Sequence, residues 1–104
     1  MKQLNWIDAN EFNIDDVRFQ CVDKDYSLQT RADRLILLKD REMLDNYSRV
    51  LGADQVRNVL EFGIFQGGSP TLFTLWFELE KFVGIDVCAP VTAFDDFIVR
   101  SSWN

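Results

Sequence analysis

The rhythm of apolar and polar positions changes several times along this chain, and each change predicts an element. Residues 1–26 are polar and acidic with scattered aromatic side chains; within them Val17–Val22 (VRFQCV) alternates loosely and predicts a short strand. Residues 27–53 read as helical. The run Arg31–Leu51 holds no Gly or Pro, and Ile36, Leu44, Tyr47 and Leu51 fall near helical spacing, with Leu37 and Val50 beside them. Asp33, Lys39, Asp40, Arg41 and Arg49 then take the wet face, and Gly52 suits a C-terminal cap. Asn58–Ile64 (NVLEFGI) is a short apolar run containing one glycine, the pattern of a buried strand. Ser69 followed by Pro70 predicts a helix start, with the serine as N-cap and the proline at the first helical position. That helix, Pro70–Glu80, is apolar on most sides, as a helix buried against a sheet would be. Lys81–Val87 (KFVGIDV) predicts a second buried strand stopped by an Ala89–Pro90 turn, and Thr92–Val99 predicts a further short helix with Asp95 and Asp96 exposed.

The predicted order is helix, strand, glycine loop, helix, strand, helix. Strand–helix–strand over this length is a βαβ unit, so the expected class is α/β: the opening of a Rossmann-like parallel sheet, truncated after its first βαβ unit and preceded by an amphipathic helix. The expected organisation is an acidic N-terminal arm over 1–26 and the first part of a cofactor-binding domain over 27–104.

Bulk properties narrow the chemistry. The 104 residues make one domain at most. A 47% hydrophobic, 27% charged composition with mean hydropathy −0.12 is that of a folded chain with a core, neither disordered nor membrane-spanning. Nine Phe, three Trp and two Tyr supply large buriable surfaces. The N-terminus (MKQLNWIDANEF) has no apolar signal region, so a cytoplasmic chain without membrane partner is expected. A net charge of −6 repels phosphate backbones, which argues against nucleic-acid partners. Asp8, Glu11, Asp15, Asp16, Asp23 and Asp25 crowd the first quarter and read as a solvated acidic face. Cys21 and Cys88 are too few and too far apart for a zinc pattern, and reduced, partly buried thiols are expected. The chain has no histidine, which removes Ser-His-Asp and Cys-His catalysis and imidazole metal ligands. No metal site is expected.

The chemistry lies in Glu61-Phe62-Gly63-Ile64-Phe65-Gln66-Gly67-Gly68-Ser69, between a predicted strand and a predicted helix. Glycines there allow positive φ and close approach of a ligand to the backbone. The helix behind them presents unpaired N–H groups and a positive dipole end. Asp86 ends the next strand about 20 positions after Gly63, the separation at which an acidic residue meets ribose hydroxyls. Adjacent parallel strands would bring both to one carboxyl edge of the sheet. The dinucleotide pattern G-x-G-x-x-G fails, because Phe65 stands where its second glycine belongs. The phosphate-loop pattern fails too, since no lysine follows Gly67-Gly68.

E-x-G-x-x-x-G-G-S, then a helix, then V-G-I-D, resembles the class I S-adenosylmethionine-dependent methyltransferases, in particular the branch with macrocin O-methyltransferase and cephalosporin-hydroxylase-like proteins. The resemblance covers roughly residues 33–98 and is strongest over Asn58–Val87. It implies S-adenosylmethionine as cofactor and a small-molecule methyl acceptor as partner. Gly63, Gly67 and Gly68, with Phe65 and Ser69 between and beside them, would shape the pocket for the methionine part. Glu61 would fix the loop and the cofactor amino group, Asp86 would accept from the ribose hydroxyls, and Val87 would flank the adenine. Catalytic residues and any metal ligands of such an enzyme are expected downstream of Asn104. Two parallel strands alone leave open edges, so association of copies is a further expectation.

Plainer readings stand beside these. Gly67-Gly68 also suits a simple tight turn, Asp86 a solvated strand end, and Glu61 a pair with Arg57 or Lys81; Phe73, Trp76 and Phe77 read as core. Two other functions stay open: a nicotinamide- or nucleotide-binding Rossmann protein, and a non-catalytic interaction module that kept the fold without the chemistry.

Overall fold

The computed structural model describes residues 1–22, 28–31, 33–52 and 55–87. They form a small α/β domain with a mixed four-stranded sheet, a parallel two-stranded sheet and two helices. The expected helix over Thr92–Val99, Cys88, and the acidic residues Asp23 and Asp25 lie outside the described residues.

The first sheet begins where no separate element was expected. Strands β1 (Asn5–Trp6), β2 (Glu11–Ile14) and β3 (Val17–Cys21) form an antiparallel meander, with β4 (Leu35–Leu37) parallel to β3 on its far side. Alternation along β2 and β3 places Phe12, Ile14, Phe19 and Cys21 in the core. The rings of Trp6, Phe12 and Phe19 pack in sequence, Trp6 tilted against Phe12 at 4.9 Å and Phe12 stacked on Phe19 at 5.1 Å between centroids. The first 22 residues are therefore no solvated arm. Their acidic groups work at turns and on the outer face. Asp8 accepts from the N–H groups of Asn10 and Glu11, Glu11 pairs with Arg18, and Asp15, at φ 52° in the β2–β3 turn, pairs with Lys2. The strand expected at Val17–Val22 is β3.

The predicted long helix is shorter than its pattern. Helix α1 spans Arg41–Leu51, and Leu35–Leu37 before it is strand, not helix. Two local causes decide this. Asp40 accepts the Met43 N–H at 2.8 Å and so starts the helix at its own position. Leu35, Ile36 and Leu37 are all buried, which a strand covered on both faces satisfies and an amphipathic helix does not. Ile36 therefore leaves the predicted helical stripe, while Leu44 remains its buried member. Gly52 ends α1 as expected, donating to the Ser48 carbonyl at 2.8 Å.

The C-terminal half has the elements its pattern predicts, but its two strands are not the buried strands expected: Leu60, Phe62, Val83 and Ile85 are exposed on one face. Strands β5 (Asn58–Phe62) and β6 (Lys81–Ile85) pair in parallel, joined by helix α2 (Gly68–Phe77). Phe73, Trp76 and Phe77 are buried, and α2 packs against both β4 and β6. The helix starts two residues before the expected point. Gly67, at φ 87°, is its N-cap, and no side chain caps it; Ser69 and Pro70 lie inside the first turn. That turn has no need of proline's missing N–H, because the first four amides of a helix have no partner within it. Glycine at 68 has a separate cause: a Cβ there would collide with the Ile36 carbonyl oxygen, so only glycine lets α2 sit so close to β4.

Candidate functional site

The site residues gather at the carboxyl edge of the β5–β6 pair. The Gly63 N–H extends the strand ladder by donating to the Ile85 carbonyl at 2.7 Å. The chain then turns through three residues in the left-handed region: Gly63 (φ 82°), Phe65 (φ 50°) and Gly67 (φ 87°). Glycine adopts that conformation freely. A phenylalanine does so only when its surroundings enforce it, at a cost of about 1–2 kcal/mol.

Asp86 is one of the groups that enforce it. Its Oδ2 accepts from the N–H of Ile64 at 2.8 Å and of Phe65 at 3.1 Å. The acidic strand end is thus a clamp that β6 closes on the loop after β5. Gln66 is the second clamp. It is buried, its Oε1 accepts from the Thr30 N–H, and its Nε2 donates to the Leu28 carbonyl at 3.0 Å. Thr30 in turn accepts the Ile36 N–H through Oγ1 at 3.0 Å. The glycine loop is therefore tied both to β6 and to the segment leading into β4.

Glu61 is the electrostatic centre. Alternation along β5 turns it inward, toward the start of α2, and leaves it half-buried. Burial pushes its carboxyl above the usual range, while the Lys39 ammonium and the Ser69 hydroxyl offset part of that shift. Its Oε1 is buried with no hydrogen-bond partner. The pairing with Arg57 or Lys81 considered from the sequence is not what the structure contains: Arg57 donates to Gln55, and the ammonium that acts on Glu61 is that of Lys39. Lys39 also lies 5.6 Å from the Tyr47 ring centroid and 6.0 Å from that of Phe73.

Two cavities meet at Gly63. A polar one of about 120 Å³ is lined by Lys39, Glu61, Gly63, Phe65, Gly68 and Ser69, among others. An apolar one of about 340 Å³ is lined by Phe62, Gly63, Ile85, Asp86 and Val87. Every site residue expected from the sequence lines one of the two, except Gly67, which is buried behind them as the helix cap. Lys39 and Gln66 were missed. Gln66 sits inside the quoted motif, a polar residue between glycines, but its partners lie nearly 40 positions upstream. A third cavity, about 380 Å³ between the N-terminal segment and α1, is lined by Trp6, Asp45 and Trp76 and touches none of these groups.

Among the described residues, no group of three or more His, Cys, Asp and Glu could hold a metal ion. Cys21 is a free, buried thiol; burial, with a smaller effect of Asp40, pushes its pKa up to about 11, so it is no nucleophile at neutral pH. No helix among the described residues is long and apolar enough to cross a membrane.

Taken together, these elements form a small α/β domain in which a glycine loop and an acidic strand end meet at one sheet edge. Comparison with protein-family models, with curated proteins and with solved structures gives no match to this chain.

Proposed function

We propose that the carboxyl edge of β5–β6 is the cofactor half of an S-adenosylmethionine-dependent methyltransferase site in a Rossmann-like domain, acting on a small-molecule acceptor. The observation that carries this reading is the pair of unlike cavities sharing Gly63, with an unpartnered carboxylate oxygen in the polar one. An amino-acid group joined to a nucleoside has that division: a small zwitterion at one end, a flat apolar base at the other.

The residues fit such a group. Glu61 Oε1 offers the acceptor that a buried ammonium needs, and Lys39 offers the countercharge for a carboxylate. Gly63 has nothing within 4 Å of where a Cβ would stand, so ligand atoms have room to approach the backbone there. Phe62, Ile85 and Val87 present apolar surface to a base. Asp86, which lines the apolar cavity and accepts from the loop amides, would meet the ribose hydroxyls with the same carboxylate. When bound, the cofactor supplies an electrophilic methyl group on a sulfonium. This chain's own part is to fix the sulfonium's position so that an acceptor can be aligned with it.

The test is titration of the full chain with S-adenosylhomocysteine, NAD and ADP, read by calorimetry. Saturable binding of S-adenosylhomocysteine, weakened about tenfold or more in Glu61→Gln, is the expected result; tenfold corresponds to ~1.4 kcal/mol, within the range for a hydrogen bond to a charged group. Binding of NAD or ADP in its place would move the site to the nucleotide reading, and silence toward all three would favour the interaction module.

A further inference from the structure

The β5–β6 pair has two unlike faces. Val59 and Phe82, on the inner face, pack against the core. The outer face carries Asn58 beside Lys81, Leu60 beside Val83 and Phe62 beside Ile85, in register and all exposed, with Val87 exposed just beyond. Phe62 keeps 73% of its surface in solvent. Parallel strands are ordinarily covered on both faces, so this pair is short of a layer.

We propose that a second copy of the chain supplies that layer, with its own β5–β6 outer face packed on this one about a two-fold axis. Area is the first argument. Leu60, Phe62, Val83, Ile85 and Val87 together expose on the order of 600 Å², the upper end of the largest patch on an ordinary monomer, and two such faces clear the ~1,000 Å² that a specific interface needs. Fit is the second. Let the strands of the two copies run antiparallel, with the axis midway between the Leu60–Val83 row and the Phe62–Ile85 row. The bulkier row of each copy then lies over the smaller row of the other, at the ordinary spacing of stacked sheets, about 10 Å. Charge is the third. Among the described residues of this face Lys81 carries the only charge, and the same register takes it to the other copy's carboxyl end, where Asp86 stands, and away from the other Lys81. An isologous contact of this kind closes on itself and stops at two copies.

Phe62, Ile85 and Val87 also line the apolar cavity at Gly63, so the second copy adds a wall to that cavity. The dimer itself does not rest on the ligand reading.

Sedimentation equilibrium of the full chain, without ligand, tests it from micromolar to submillimolar concentration. A monomer–dimer equilibrium is expected. Leu60→Lys and Val83→Lys change exposed positions, and each is expected to weaken association about a hundredfold or more while the circular dichroism stays that of the parent. A mixture of ¹³C-labelled and unlabelled parent chains, recorded with isotope filtering, is expected to show contacts between molecules from Leu60 and Val83 to Phe62 and Ile85; this arm needs no variant to fold. A parent chain that is monomeric at every concentration overturns the proposal. So does a dimer that the folded lysine variants leave unchanged, or association that grows past two copies. With no ligand present, each of these outcomes leaves the cofactor reading where it stood.

Discussion

The four-stranded sheet and the β5–β6 pair arrange similar apolar material in opposite ways. In the first, Phe12, Ile14, Phe19 and Leu37 are almost completely inaccessible, and Asp8, Glu11 and Asp15 each have a local partner. In the second, Leu60, Phe62, Val83 and Ile85 face outward, Phe65 holds a left-handed backbone, and Glu61 Oε1 is buried without a donor. The first region also holds a left-handed residue, Asp15, and a buried Gln20 Oε1 without a hydrogen-bond partner, but its large apolar strand side chains are covered. The second combines strain and an unsatisfied carboxylate oxygen with an uncovered apolar face, and strained or unsatisfied groups concentrate where a protein binds something. The difference teaches where to look for function in this molecule.

If that contrast is right, the largest losses of stability come from the first region and its contact with α2. Phe12→Ala removes a fully buried ring packed between Trp6 and Phe19, and an expected cost of about 3–5 kcal/mol follows from the lost burial and the cavity. Urea unfolding read by the midpoint at constant slope measures it. A cost below about 1 kcal/mol would mean that the meander is peripheral after all. Gly68→Ala comes next. Its methyl group meets the Ile36 carbonyl, so α2 must shift off β4, at about 2–3 kcal/mol. The same unfolding experiment should show it. An unchanged midpoint would return Gly68 to the role of a ligand-facing glycine only.

The two regions also differ in how far the sequence revealed them. Strands β5 and β6 and helix α2 were legible because each is one contiguous apolar run with glycine punctuation. The meander was hidden because β1 has two residues and β2 offers only Phe12 and Ile14 as apolar positions amid acidic ones. Strand β4 was hidden by Leu35–Leu37 running on toward Leu44 in a stretch without Gly or Pro, where only the Asp40 cap marks the true helix start. In the site, the contiguous residues Glu61–Ser69 and the strand end at Asp86 were within reach of pattern reading. Lys39 and the Gln66–Thr30 bond were not, because tertiary folding alone brings them to the loop.

Asp86 sharpens the comparison, since it belongs to both accounts. Asp86→Ala removes the acceptor for two loop amides and is expected to cost about 1–2 kcal/mol without ligand. Asp86→Asn keeps an acceptor oxygen for the loop while removing the charge. A stable Asn variant that binds S-adenosylhomocysteine as well as the parent would confine Asp86 to holding the loop. A stable Asn variant with weakened binding would assign it the ribose as well.

Glu61→Gln is the smallest change in stability and the most direct contrast with the first region, where no carboxylate lies buried without a partner among the described residues. Burial raises the folded-state pKa of Glu61 above its ordinary 4.5, so folding favours the protonated acid. The sign follows from linkage. Below the unfolded value both states are protonated and Glu61 costs nothing by ionising; as pH rises through the raised folded value, the folded state must hold a half-buried charge and loses stability relative to the unfolded chain. The parent's melting temperature is therefore expected to fall relative to that of Glu61→Gln as pH climbs from about 4.5 toward neutrality. Parallel melting curves across that range would show that Lys39 and Ser69 compensate the charge completely, which leaves no vacancy for a cation. A gap that opens with pH in the free protein, and closes when S-adenosylhomocysteine is added, would mean that the carboxylate is kept charged against its own fold in order to hold an ammonium.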